Sequence, residues 1–524
     1  MKLRNLLATL LCAMLLLASV APALAENDVY PISGDVTLTY FGQLHKKVAK
    51  SYSGWTDLDV VKDWFAATGV TLDFRCPPSG MEDEQFNMML ASGDYTDIIV
   101  YDMIKKVQGG LTSLYEDGVI VDLTDYLEEY APNYTRYLNE HPDIKQEVMD
   151  DNGRIYCFVF AKGGGYLLST QGPILREDIL AALNLEVPTT IDEWETVLRA
   201  VKAAYPDMVP FTGNLSRLEK TFGPAYGLGM CEWVANDENY AFYAPAEADF
   251  RAFLEKMSAW YAEGLIDVDF TSLDDASADN KMSSGRAFAS FGAGSSQVAT
   301  YMNANPEDPT FSTVGVQLPT LEKGDLAKYS TEWAGTANPQ CAISTQCKNL
   351  EAAIRMYDWG YGEEGSTRLN WGLEGVSYTV DENGEKHYTD LILNNPDGKN
   401  VDTALANYAL VAVKGPAMLV QDPGFMMDYY ALDQQKRSMQ NWTNKDMDSR
   451  IFPSVSYVDD EAERFTNLMA DISTYAESMT AKFIIGSESL DNFDGYLKTI
   501  NNMGYEEVRT IQQSALDRFN SRGK

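Results

Sequence analysis

Along the N-terminal part of the chain, the spacing of apolar positions switches between two residues and about 3.6, the alternation of strands with amphipathic helices. Val36–Phe41 (VTLTYF) reads as a strand; Leu58, Val61, Trp64 and Phe65 predict a helix over 57–67, which Gly69 stops. A second strand follows at 70–74, and a second helix at 81–91 carries Phe86, Met89 and Leu90. Residues 97–101 (DIIVY) are a short, continuously apolar third strand. Strands alternating with helices predict a parallel sheet covered on both faces, an α/β architecture. Ligands in such sheets sit beyond the carboxyl ends of the strands, here the loops 41–55, 77–80 and 101–110.

The middle of the chain repeats the theme. A strand-like stretch at 153–160 (GRIYCFVF) leads to a glycine-rich joint at 162–165 and a second α/β series. Thr190 can cap a helix in which Glu193 is the capping-box partner and Trp194, Val197, Leu198 and Val201 form the apolar stripe. Another amphipathic helix spans 248–261, and helices at 461–479 and 490–502 are expected to complete a second lobe. No short tandem repeat is visible.

Length and charge narrow the function classes. At ~150 residues per domain, 524 residues predict two or three compact units, and 45% hydrophobic residues supply their cores. Lys2 and Arg4, an apolar run from Leu6 to Val20, Pro22 and the triplet Ala23, Leu24, Ala25 have the layout of a secretory signal peptide cleaved after Ala25. The run falls short of the ~20 residues a spanning helix needs, and the residues before Cys12 are Leu10 and Leu11, so a lipid-anchored cysteine is not expected. A net charge of -36 repels phosphate backbones and anionic headgroups, which argues against nucleic-acid and membrane-surface roles. Cys76, Cys157, Cys231, Cys341 and Cys347 are odd in number, hence five buried thiols or one bridge. His45, His141 and His387 are too far apart for a zinc pattern, and no metal or cofactor is expected.

Several segments together resemble a known family. They are 84–97 (EQFNMMLASGDYTD), 153–156, 176–194 (REDILAALNLEVPTTIDEW), 261–267 (YAEGLID), 284–286 (SGR), 342–358, 364–365 and 371–378 (WGLEGVSY). In order and spacing they are similar to extracellular solute-binding proteins of ABC transporters, in the sugar-binding branch related to maltose-binding protein and its longer oligosaccharide-binding members. The resemblance implies a two-lobed, periplasmic-binding-protein-like (type II) α/β fold with a hinge and an interlobe ligand cleft. The lobes would comprise 26–160 with 331–370, and 161–330 with 371–524. It further implies a secreted monomer that hands an oligosaccharide to the permease subunits of an ABC importer. Many relatives carry a calcium-loop-like run where this chain has Tyr205, Pro206, Asp207, Met208, Val209 and Pro210, so no calcium is expected. Asp381 to Gly384 reads as a hairpin turn.

A sugar needs flat aromatic surface for its C–H face and short polar groups for its hydroxyl rim. Trp64, Trp194 and Trp260 lie on apolar helix faces and are assigned to the core. Trp55, Trp233, Trp333, Trp371 and Trp442 lie in loop-like or glycine-flanked contexts and are the aromatic candidates, with Glu374 beside Trp371. Asp94 could accept sugar hydroxyls, while Asp97 reads as a cap. Tyr101 and Asp102 end a strand, and Ser295, Ser296 and Gln297 follow FASFGAG where the family's second lobe lines its cleft. The main rival is a secreted glycoside hydrolase, but a chain with 77 acids always offers carboxylate pairs, and no Gly-x-Ser-x-Gly, Walker or His-Glu-x-x-His motif occurs. The reading is a binding protein without catalysis. A binder of peptides or sugar acids is the third alternative, disfavoured by the negative charge unless local cations reverse the field.

Overall fold

The structure, a computed structural model, describes residues 29–332, 335–458 and 461–523. The segment expected to be a signal peptide lies outside them. Two sheets organise the chain. The first has six strands: β1 Val36–Phe41, β2 Val70–Arg75, β3 Ile98–Tyr101, β4 Cys157–Lys162, β9 Thr336–Ile343 and β10 Val420–Gln421, in the order β10-β4-β9-β3-β1-β2. The second has four: β5 Gln171–Arg176, β6 Val209–Phe211, β7 Ala287–Ala293 and β8 Thr313–Gly315, in the order β8-β5-β7-β6. This is the two-lobed α/β arrangement expected.

Local signals in the first lobe translate directly. The helix Asp59–Thr68 buries Val61 and Trp64 on the sheet and ends at Gly69, whose φ of 76° is the left-handed cap a glycine accepts without strain. β1 pairs in parallel with β2, Val36 opposite Val70, and with β3, Tyr40 opposite Ile98. The first sheet is mixed rather than parallel, because β9 returns late in the sequence and runs antiparallel between β3 and β4. A register shift between Ala337 and Gln340 brackets Pro339, so a bulge accommodates the missing N–H inside a central strand.

A boundary also moves. Residues 371–524 were expected in the second lobe, but β10 pairs in parallel with β4 in the first sheet, Val420 opposite Ala161. The reason is burial: Leu410, Val413, Ala417, Met418 and Leu419 belong to the first core, so the chain returns there before leaving again.

In the second lobe, Thr190 Oγ1 accepts from Glu193 N–H at 3.2 Å, as a cap should. The Glu193 carboxylate folds back one residue earlier than expected, accepting Thr189 N–H and Oγ1–H at 2.8 and 2.7 Å. Those bonds hold its pKa down at about 2. Trp194, Val197, Leu198 and Val201 are buried with Trp260, Phe211 and Phe222 in the second core. The long helix Glu461–Ile485 and the C-terminal helix Tyr505–Ser521 close that core. The C-terminal helix also reaches the first lobe: Gln146 Nε2–H donates to Phe519 O at 2.7 Å, and Asp151 pairs with Arg518 at 3.3 Å and Arg522 at 2.7 Å. Among the described residues, Cys76, Cys157, Cys231, Cys341 and Cys347 are free thiols. Among the described residues no helix is long and apolar enough to cross a membrane.

Candidate functional site

Five of the six strands of the first sheet run the same way, so their carboxyl ends share one edge with the amino end of the reversed β9. That edge carries Gln43 and His45 after β1, Asp102 and Lys105 after β3, Lys162 at the end of β4, Asp422 after β10 and Glu332 before β9. In the second sheet, β5 enters at the edge where β7 ends: Gln171 pairs with Ala293, and Gly294 N–H donates to Thr170 O. The glycine joint connects the two edges directly. In open α/β sheets ligands sit beyond the carboxyl ends of the strands, so the crevice between these edges is the candidate site.

The joint is tightly built. Gly163 N–H donates to Gln421 O at 3.0 Å, and a Cβ on Gly163 would stand 2.2 Å from that oxygen. Lys162 N–H donates to Gly335 O, and the Lys162 ammonium pairs with Glu332. Tyr166 follows on a short turn, half-buried, its phenol pKa raised by burial and by the neighbouring Asp422. Asp422 Oδ2 accepts Trp371 Nε1–H at 2.7 Å and its Oδ1 accepts Gly424 N–H at 2.8 Å.

Of the residues singled out in sequence, Tyr101, Asp102 and Gln297 lie at these edges. Tyr101 stacks on Phe86 with centroids 4.0 Å apart, and its hydroxyl donates to Asp83 Oδ1 at 2.8 Å, so the ring is buried and the exposed member of the pair is Asp83. Asp102 Oδ1 accepts Lys105 N–H at 3.2 Å, capping the turn that presents Lys105. Gln297 Oε1 accepts Ala293 N–H at 3.0 Å, closing the turn after β7. Trp333 and the side chain of Ser295 lie outside the described residues.

The other candidates lie elsewhere. Trp55 is fully buried in the first core with Gly415 laid against its ring. Trp371 is buried against Tyr388 at 4.8 Å, with its Nε1–H held by Asp422. Trp442 is buried too, and Trp233 is half-buried among Tyr243, Phe452, Phe465 and Tyr505. Glycines far along the chain, Gly415 at Trp55 and Gly172, Gly294 and Gly315 at Trp442, give these rings bare backbone to pack on, which a local context does not reveal. Asp94 is exposed before β3, at the amino edge away from the crevice. Glu374 lines a flank cavity of about 510 Å³ with Glu363, Glu364, Arg368 and Tyr378, where Arg368 faces Asp63 of an outer helix. Sequence reading passed over Lys105, Lys162, Tyr166 and Asp422, for which no local motif exists.

Burial raises the Glu147 pKa to about 7, and its Oε2 accepts Thr336 N–H at 3.3 Å at the start of β9. An unfolded glutamate releases its proton near pH ~4.3. The native state therefore binds more protons between those values, and this stabilisation is complete below ~4.3 and lost as pH rises through 7. Glu147→Gln is expected to stabilise the protein by ~1–2 kcal/mol at pH 7.5, with little gain at pH 5. Thermal melts at both pH values check this; an unchanged difference between them would exclude Glu147 as its source.

Residues 50–367, more than half of the chain, match the family described as bacterial extracellular solute-binding protein. The fructooligosaccharide ABC transporter substrate-binding protein FusA of Streptococcus pneumoniae is 25% identical over 490 residues, covering 86% of this chain and 85% of that one. The polygalacturonan/rhamnogalacturonan-binding protein YtcQ of Bacillus subtilis is 22% identical, covering 62% and 64%. Among solved structures, an extracellular solute-binding protein from Bifidobacterium longum subsp. infantis aligns with a TM-score of 0.71 at 19% identity, over 93% of this chain and 99% of that one.

Proposed function

The chain belongs to the bacterial extracellular solute-binding protein family, and from that premise we propose that it is the substrate-binding component of an ABC importer, capturing an oligosaccharide between its lobes. The observation that carries this is the crevice itself. The edge of the first sheet where β4 ends is joined to the edge of the second where β5 begins and β7 ends by a glycine segment whose Lys162 and Gly163 N–H groups donate to Gly335 O and Gln421 O. FusA and YtcQ are named for oligo- and polysaccharide ligands, which supports a glycan here. The protein binds and releases its ligand without cleaving it and passes it to the permease subunits as a monomer. The signal peptide is removed after Ala25, leaving the protein outside the cytoplasm.

Ligand that touches both edges favours the closed arrangement by its extra contacts, the population-shift logic of two-lobed binders. A thermal-shift screen of the secreted chain against oligosaccharides and short peptides tests the reading, since binding to the native state alone raises the melting temperature. A glycan hit recovered uncleaved is expected. Cleaved glycan would establish a hydrolase, and a peptide-only response would overturn the sugar assignment. Small-angle scattering should show compaction with that glycan; an unchanged radius at saturation would remove lobe closure.

A further inference from the structure

Two helices begin at the edge of the second sheet where β7 ends. β6 runs parallel to β7, so the chain leaves β6 at that edge, and Asn214 there caps the helix Leu215–Phe222. The helix Asp275–Ser283 runs back toward the start of β7, which sets its first residue, Asp275, level with the end of that strand.

Arg217 of the first helix reaches across to the second. Its side chain is 7% exposed, and a buried guanidinium is tolerated only when its N–H groups are taken up. Nε–H donates to Asp275 Oδ1 at 3.0 Å, Nη1–H to Asp279 Oδ1 at 2.9 Å and to Ser290 Oγ at 3.0 Å, and Nη2–H to Asp275 O at 3.4 Å. Asp279 lies one turn along its helix, level with Ser290 in the middle of β7, where the Tyr301 hydroxyl also donates to its Oδ1 at 2.6 Å. That carboxylate is spent on the network.

Asp275 is used differently. Its Oδ1 accepts Arg217 Nε–H at 3.0 Å and Asn214 Nδ2–H at 3.2 Å, whereas its Oδ2 has no hydrogen-bond partner among the described residues, and the side chain is 72% exposed. The carboxylate is clamped on one oxygen and open on the other, at the edge that borders the crevice. Fastening one helix to the other uses only the clamped oxygen. Hydrogen bonds from hydroxyls to an ionised carboxylate are about twice as strong as neutral ones, and an acceptor oriented in advance spends less on ordering when a ligand arrives.

We propose that Asp275 is a ligand-contacting residue of the second lobe, its Oδ2 accepting hydroxyls of the bound oligosaccharide, and that Arg217 is the positioning residue that aims it. This rests on the oligosaccharide-binding reading above and gives the second lobe its own contact with the ligand.

The test is calorimetric titration of the secreted chain with kestose, maltotriose, xylotriose and mannotriose, followed by variants with whichever trisaccharide binds. Asp275→Asn keeps an oxygen for Arg217 but replaces the open acceptor by an amide donor. It is expected to weaken binding about tenfold or more, with a melting temperature within about two degrees of the parent. Arg217→Met should weaken binding in the parent but by about twofold at most in the Asp275→Asn background, since nothing is left to aim. Arg217→Lys, which keeps the charge and loses the fork, replaces it if Arg217→Met does not fold. Equal losses in both backgrounds would overturn the positioning role. Full affinity in a folded Asp275→Asn chain would overturn the proposal and leave the importer reading standing, whereas a chain that binds no glycan loses both.

Discussion

Replacing Trp442 by alanine is expected to destabilise the protein by ~3–5 kcal/mol, the cost of emptying a large aromatic site that cannot collapse. The indole closes the helix Asp433–Trp442 and sits against three glycines of the second sheet and its edge. A Cβ on Gly172, Gly294 or Gly315 would stand 2.3, 2.8 or 2.5 Å from the ring, so the strands carry bare backbone where the ring rests. Its Nε1–H donates to Pro173 O at 3.2 Å. Strands cannot move inward without breaking ladder bonds, and the vacancy persists. Urea titration checks this, and a loss under ~1 kcal/mol would mean that the sheet closes over the gap. Gly315→Ala should itself destabilise, by overpacking the same contact.

The second large effect is at the joint. Gly163→Ala is expected to cost ~2–4 kcal/mol, because its methyl group would meet Gln421 O and the β4–β10 pairing would have to part. Lys162 and Asp422 flank that pairing, so affinity for any crevice ligand should fall together with stability. A variant that loses stability but keeps full affinity would show that the crevice is set by the other strand ends alone.

Much of this architecture was legible in the sequence. β1, Gly69 and the Trp194 stripe are local features, and local periodicity and capping report them faithfully. What escaped depends on partners far along the chain. A strand at Ala342 is legible, but with Pro339 and small residues before it, its extent and its antiparallel place between β3 and β4 are set by those distant partners. The same holds for tryptophans: a glycine-flanked Trp55 reads as a loop residue until Gly415, 360 positions later, covers it. Lys105 and Lys162 form no motif, since topology alone brings them to one edge, and the overall negative charge pointed away from them.

The contact between the C-terminal helix and Asp151 has a mechanical consequence. That helix belongs to the second core, whereas Asp151 precedes β4 of the first sheet, so Arg518 and Arg522 fasten one moving body to the other away from the crevice. Rotation of the lobes on binding, as proposed, would either turn about this fastening or break it. In the first case the axis of motion runs close to Asp151, and the crevice opens as a jaw with its pivot there. In the second, two guanidinium–carboxylate pairs are spent on one of the two end states, and they set how often the empty protein visits it. Either way, on the closure proposed, these ion pairs remote from the crevice would take part in fixing apparent affinity.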